Sequence, residues 1–130
     1  MSTIILASAS PRRKELLLKY NINPIIVKSK IEEKISVDET PEQIAMALAF
    51  EKAYQVAKES KDGDIIIGAD TIVACNGKIL GKPKSEEEGR EMIKFLSGKE
   101  HQVVTGISII KANSNIKIVD HEKTMVKFRE

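Results

Sequence analysis

Residues 4–17 of the chain have the sequence Ile4-Ile5-Leu6-Ala7-Ser8-Ala9-Ser10-Pro11-Arg12-Arg13-Lys14-Glu15-Leu16-Leu17. The apolar start predicts a strand, and a serine followed by proline predicts the cap and the first position of a helix. The first turn of that helix carries cations, which face the positive end of the helix dipole. Backbone N–H groups at a helix start, with arginines beside them, suit a phosphate group. Without further residues, a solvated surface helix explains this stretch equally well.

The composition is that of one globular domain. The chain has 130 residues, of which 42% are hydrophobic and 31% are charged. A net charge of +2 and an aromatic content of 4% argue against a general nucleic-acid binder. The single cysteine, Cys75, excludes an internal disulfide and a zinc site made of thiolates. The sequence has neither a signal peptide nor a run of membrane-spanning length, so we expect a cytoplasmic protein.

Helices and strands alternate early in the chain, and strands cluster late, which favours an α/β domain with a mixed sheet. After the first strand, the predicted elements are a helix over 11–20, a strand over 22–27, a helix from Thr40 to near Ser60, a buried strand over 64–68 continuing extended over 72–75, a helix from Ser85 to Gly98, and strands over 103–110, 116–119 and 124–128.

Local signals support several of these boundaries. Thr40 and Gln43 are spaced as a capping box, and Asn76-Gly77 is typical of a two-residue hairpin turn. The apolar residues of the first helix predict a buried side made of Leu16, Leu17 and Tyr20. The predicted apolar stripe of the long helix is Ile44, Ala47, Leu48, Val56 and Ala57.

Asp70 is the strongest candidate for chemistry, because it lies where the apolar run of the buried strand stops. A carboxylate there could line a cleft and act as a base or hold a metal, while an Asx-turn is an equally good explanation. Glu32 and Glu33 could share a divalent cation with Asp70, although adjacent glutamates in a charged loop are usually solvated. Lys52 and Lys82 could meet a phosphate, the latter on a turn fixed by Pro83.

No Walker loop, nucleophile elbow or H-E-x-x-H motif is present. The lysines, the arginines and the carboxylates together suit the attack of water on a phosphoryl centre. Such a reaction needs charge neutralisation and an oriented nucleophile more than covalent catalysis.

The residues resemble those of the Maf-like proteins, the septum-formation family of nucleoside triphosphate pyrophosphatases. The matching motifs, in order, are Ser8-Ala9-Ser10-Pro11-Arg12-Arg13-Lys14-Glu15-Leu16-Leu17, Glu32-Glu33, Glu51-Lys52-Ala53, Gly68-Ala69-Asp70-Thr71-Ile72-Val73, Gly81-Lys82-Pro83, and Leu96-Ser97-Gly98 with His101, Val103 and Thr105. The resemblance implies an elongated mixed sheet flanked by helices, like that of the inosine triphosphatases. It also implies a single domain over 1–130 that lacks C-terminal elements, because family chains continue past this point.

The resemblance further implies hydrolysis of a nucleoside triphosphate to its monophosphate and pyrophosphate with a divalent metal, Mg²⁺ or Mn²⁺. Asp70 matches the proton acceptor, and Glu33 matches a carboxylate that helps with the metal or the water. Thr71 resembles the branch that acts on dTTP and UTP. The positions that match the phosphate cleft are Ser8, Ser10, Arg12, Arg13, Lys52 and Lys82.

The family also suggests a homodimer, no stable binding to nucleic acid or membrane, and a role in septum formation. An alternative is a nucleotide-binding chain with little or no activity that acts through protein partners. A weaker alternative is a module that binds anions or RNA, which the low net charge disfavours.

Overall fold

The computed structural model describes residues 3–8, 10–28, 39–76, 78–80 and 85–127. The elements in chain order are β1 (Ile4–Ala7), α1 (Pro11–Lys19), β2 (Ile25–Ile26), α2 (Pro41–Lys58), β3 (Ile65–Cys75), β4 (Lys78–Leu80), α3 (Glu86–Leu96), β5 (Glu100–Lys111) and β6 (Lys117–Lys127). None of these helices is both long and apolar enough to cross a membrane.

The strands form one six-stranded mixed sheet, as the alternation of elements predicts. Its order is β2-β1-β3-β5-β6, and β4 pairs with the far end of β3. The pairings of β1 with β2 and with β3 are parallel, whereas β3, β5 and β6 pair antiparallel. The long strands β3, β5 and β6 give the sheet its elongated shape.

Helix α2 lies directly on the sheet because small residues meet on both sides of the contact. Its buried alanines recur every four residues, which places them on one helix face: Ala45, Ala49, Ala53 and Ala57. Beneath them lie two glycines of the sheet. A Cβ on Gly68 would come within 2.4 Å of the Ala49 carbonyl oxygen, and one on Gly106 within 2.2 Å of the Ala45 carbonyl oxygen. The predicted stripe is wrong at Ala47, which is exposed.

Helix α1 contrasts with α2, because none of its residues is buried. The predicted buried side is wrong: Leu16 is 56% exposed and Tyr20 is 73% exposed. Apolar spacing shows that a helix has an apolar side, but it does not show that another element covers that side. No strand or helix of the described ranges buries these side chains.

The strands differ from the prediction in length. The second strand is only Ile25–Ile26, whereas β3 and β6 each run without a break for 11 residues. The polar residues inside β3 and β6 do not interrupt them because β5 pairs with both strands residue by residue. The predicted turn signals hold. Thr40 and Gln43 form the capping box, and Asn76 lies in a turn directly after β3, while Gly77 lies outside the described residues.

Candidate active site

The sheet has a notch along one edge of β3. Strand β1 pairs with β3 as far as Ala7 opposite Gly68, and β4 begins to pair at Val73. Residues 69–72 of β3 therefore have β5 on one side and no strand of the described residues on the other. The carboxyl end of the parallel strand β1 opens into this notch. Ligands of open α/β sheets bind at such positions.

Asp70 lies on β3 within the notch, inside a strand rather than at the end of one or in an Asx-turn. Its side chain faces α2, where the Lys52 ammonium donates a hydrogen bond to Oδ1 at 2.6 Å. The side chains of Lys52 and Asp70 are 13% and 4% exposed. Lys52 is held there because it precedes Ala53, which packs against Gly68. The pair thus presents an oriented carboxylate at the notch.

Thr71 follows Asp70 and faces the opposite side of the sheet, because successive strand residues alternate. Its hydroxyl accepts a hydrogen bond from Nη2 of Arg13 at 3.1 Å. Nη1 of the same guanidinium donates to Oγ of Ser8 at 3.3 Å. The first turn of α1 is therefore connected to the notch by the Arg13 side chain.

Ser8 is oriented to donate a further hydrogen bond. Its oxygen accepts bonds from the Ser10 backbone N–H at 3.1 Å and from Arg13. These two bonds occupy the acceptor positions of a hydroxyl, so within the described part of the chain its hydrogen is available to an acceptor such as a phosphate oxygen. Ser10 is the N-cap of α1, yet its side chain makes no capping bond, and the first turn contains no acidic residue. This helix start suits an anion.

The structure thus places most of the predicted site around one notch. Ser8, Ser10, Arg13, Lys52, Asp70 and Thr71 are all within it or beside it. Arg12 is exposed on the first turn of α1 and takes no part in these contacts. Glu32, Glu33 and Lys82 lie outside the described residues, so their predicted roles stay predictions.

Comparisons with known proteins identify the family of this chain. The family model described as Maf-like protein matches residues 3–130. The chain belongs to the Maf-like family. It is 52% identical over 126 residues to the dTTP/UTP pyrophosphatase of Clostridioides difficile (strain 630), which covers 97% of this chain and 64% of that protein. It is 47% identical over 131 residues to the dTTP/UTP pyrophosphatase of Ruminiclostridium cellulolyticum, which covers 100% of this chain and 67% of that protein.

Solved structures show the same fold at low sequence identity. The HAM1 protein from Coxiella burnetii superposes with a TM-score of 0.68 at 15% identity, over 98% of this chain and 73% of that one. The Maf-like chain spans about two thirds of the length of the curated relatives that it matches.

The described residues of the site offer one carboxylate to a divalent cation, but not a complete set of ligands. Within the described ranges, no group of three or more His, Cys, Asp or Glu side chains could hold a metal ion. Mg²⁺ is commonly held by one or two carboxylates together with substrate phosphates, so the Asp70 carboxylate and a triphosphate would supply suitable oxygens. The cation that Asp70 contacts in this structure is the Lys52 ammonium.

Sequence reasoning assigned no role to Thr105. It lies on β5 directly opposite Thr71, and the two hydroxyl oxygens are 2.9 Å apart. The available signal was the place of Thr105 in the last of the motifs that match the family. Its partner depends on the register of β3 and β5, which the sequence pattern does not specify.

Proposed function

We propose that this chain hydrolyses nucleoside triphosphates, dTTP and UTP first, to the monophosphate and pyrophosphate. The observation that carries the proposal is the notch, where an oriented carboxylate and a guanidinium approach from opposite faces of the sheet. The carboxylate suits activation of water, and the guanidinium with the α1 start suits the phosphates.

Asp70 acts as the general base in this proposal. Lys52 occupies Oδ1, so we assign the other oxygen, Oδ2, to the attacking water. The water oxygen forms a bond to the α-phosphorus, its proton passes to the Asp70 carboxylate, and the bond between the α-phosphorus and the bridging oxygen breaks. The electron pair of that bond leaves with pyrophosphate.

Arg13 and Ser8 bind the departing phosphates. The guanidinium neutralises developing charge, and the Ser8 hydroxyl donates to a phosphate oxygen. A bound Mg²⁺ or Mn²⁺ supplies further charge neutralisation, with Asp70 and Glu33 as its protein ligands in this proposal. The resemblance adds Ser10, Arg12 and Lys82 to the same phosphate cleft.

The proposed preference for the nucleobases of dTTP and UTP rests on the relatives of this chain and on one of its residues. Curated relatives named dTTP/UTP pyrophosphatase are 47–52% identical to this chain. Thr71, which the resemblance connects with that branch, lies in the notch. The homodimer, the cytoplasmic location, the lack of nucleic-acid binding and the role in septum formation stay predictions.

A pyrophosphate-release screen of this chain tests the proposal. The panel contains the ribo- and deoxynucleoside triphosphates, each with Mg²⁺ and with Mn²⁺. We expect dTTP and UTP to give the fastest release, with the monophosphate as the second product. Release of orthophosphate alone would place the attack at the wrong phosphorus.

Nucleotide binding, measured in parallel, distinguishes the pyrophosphatase from the alternative, a nucleotide-binding chain with little or no activity. If dTTP binds but no triphosphate is hydrolysed with either metal, the pyrophosphatase proposal is wrong. That outcome favours the nucleotide-binding chain that acts through partners.

A further inference from the structure

Thr105 lies at the end of a series of hydrogen bonds that connects α1 with the neighbouring strands β3 and β5. The series runs from Ser8 to the Arg13 guanidinium, then to the Thr71 hydroxyl and finally to the Thr105 hydroxyl. Donor–acceptor distances along it are 3.3, 3.1 and 2.9 Å. All of its members are buried or half-buried.

Arg13 needs this support because its helix gives little. Helix α1 has no buried residue, so packing restrains its side chains less than it restrains those of α2, where seven residues are buried. The first turn has no acidic residue to balance the guanidinium against the helix dipole. The position of the guanidinium therefore depends on the hydroxyls of Ser8 and Thr71.

Thr105 is well placed to anchor the series. It adjoins Gly106, whose backbone lies against that of Ala45 so closely that a Cβ would come within 2.2 Å of the carbonyl oxygen. This contact fixes β5 beneath α2, and antiparallel pairing places Thr105 opposite Thr71. The rigid part of the molecule is thus connected to Arg13 through two hydroxyl groups.

We propose that Thr105 is a positioning residue for the phosphate site. It orients the Thr71 hydroxyl, and Thr71 in turn holds the Arg13 guanidinium towards the pyrophosphate half of the substrate. The inference rests on the proposed function, because it takes Arg13 as a phosphate ligand. Thr105 itself contacts Thr71, not the substrate.

The test compares Thr105→Val, which removes the hydroxyl, with Thr105→Ser, which keeps it. Thr124→Val is the matched control, because it removes an exposed threonine hydroxyl from the neighbouring strand β6. The dissociation constant for pyrophosphate is measured by calorimetry, and the melting temperature is recorded for each variant.

We expect Thr105→Val to weaken pyrophosphate binding by about 3- to 10-fold, as loss of one hydrogen bond does. Thr105→Ser and Thr124→Val should stay within about twofold of the parent chain. For dTTP, Thr105→Val should raise KM more than it lowers kcat. The loss should vanish in an Arg13→Ala background, since the residue to be positioned is then absent.

Three results would overturn the inference. They are unchanged pyrophosphate affinity in Thr105→Val, an equal loss with and without Arg13, and absence of pyrophosphate binding by the parent chain. Failure of the proposed function is distinct from these, because it shows as absent turnover while the effects on pyrophosphate affinity persist.

Discussion

The two helices that supply cations to the notch are held in opposite ways. Helix α2 contacts the sheet through alanine and glycine, and its Lys52 is bound to Asp70 at 2.6 Å. Helix α1 has no buried residue, and its Arg13 reaches the notch through side-chain hydrogen bonds. The carboxylate therefore belongs to the packed framework, whereas the phosphate-binding guanidinium belongs to a weakly packed element. Substitutions on the α2 side should change turnover or stability, and those on the α1 side should change affinity.

Asp70→Asn should have the largest effect. The amide cannot accept the proton of the attacking water, so we expect kcat for dTTP to fall by about 10²- to 10⁴-fold. Pyrophosphate affinity should stay within a few fold, since the phosphates bind on the Arg13 side. An assay of pyrophosphate release gives kcat, and titration calorimetry gives the affinity for pyrophosphate. Normal hydrolysis by this variant would remove Asp70 from the role of base.

The same truncation placed on each helix compares their packing directly. Leu48 of α2 is 3% exposed and Leu16 of α1 is 56% exposed. Leu48→Ala should lower the free energy of unfolding by about 2–5 kcal/mol, as cavities in a core do. Leu16→Ala should change it by less than about 0.5 kcal/mol. Urea denaturation measures both, and equal losses would show that α1 is packed as firmly as α2.

Arg13→Ala should weaken the binding of pyrophosphate and of dTTP by about 10- to 100-fold, because a charged hydrogen-bond donor is lost. Lys19→Ala, at the other end of α1, removes an equal charge away from the notch and serves as the control. Titration calorimetry of both variants gives the affinities. Equal affinities for the two variants would place the phosphates elsewhere.

A small pH effect is expected at the start of α2. A hydrogen bond from its own backbone amide, followed by the hydrogen bond and charge of Lys123, lowers the pKa of Glu42 below its usual 4.5, against the opposing effect of burial. The ammonium of Lys123, on β6, lies 3.2 Å from Oε1 of Glu42. A depressed carboxyl pKa stabilises the fold above pH 4.5 and loses this contribution as the pH falls through the lowered value.

Glu42→Gln removes this titration. Below the lowered pKa, the melting temperatures of the variant and the parent chain should converge, while at pH 7 the variant should melt slightly lower. Thermal unfolding between pH 2 and pH 7 measures the difference. A constant gap across the whole range would show that Glu42 does not contribute through its charge.

Features that depend on residues close together in the sequence could be predicted. The capping box of Thr40 and Gln43 forms as expected, and Ser85 accepts a hydrogen bond from the Glu88 backbone at the start of α3. These features depend on residues three positions apart, so their sequence spacing is sufficient. The residues singled out for the phosphate cleft include Arg13, which contacts Ser8, and Lys52, which contacts Asp70, while their role in binding phosphate stays a prediction.

Features that depend on contacts between residues distant in the sequence could not be predicted. The continuity of β3 through Asp70, and therefore the notch, depends on where β1 ends and where β4 begins to pair. The exposed side of α1 could not be predicted, because apolar spacing is the same whether or not another element covers it. The role of Thr105 depends on the register between β3 and β5, which brings it opposite Thr71, a residue 34 positions away in sequence.

The alanines of α2 also act as a spacer. Had Ala49 or Ala53 been larger, the helix axis would stand further from the strands, and the four-carbon stem of Lys52 would have to cover that extra height before meeting Asp70. The methyl groups of these alanines thus set the distance that the Lys52 side chain spans to reach Asp70. A substitution there, far from any phosphate, would act on chemistry by changing a distance rather than a charge.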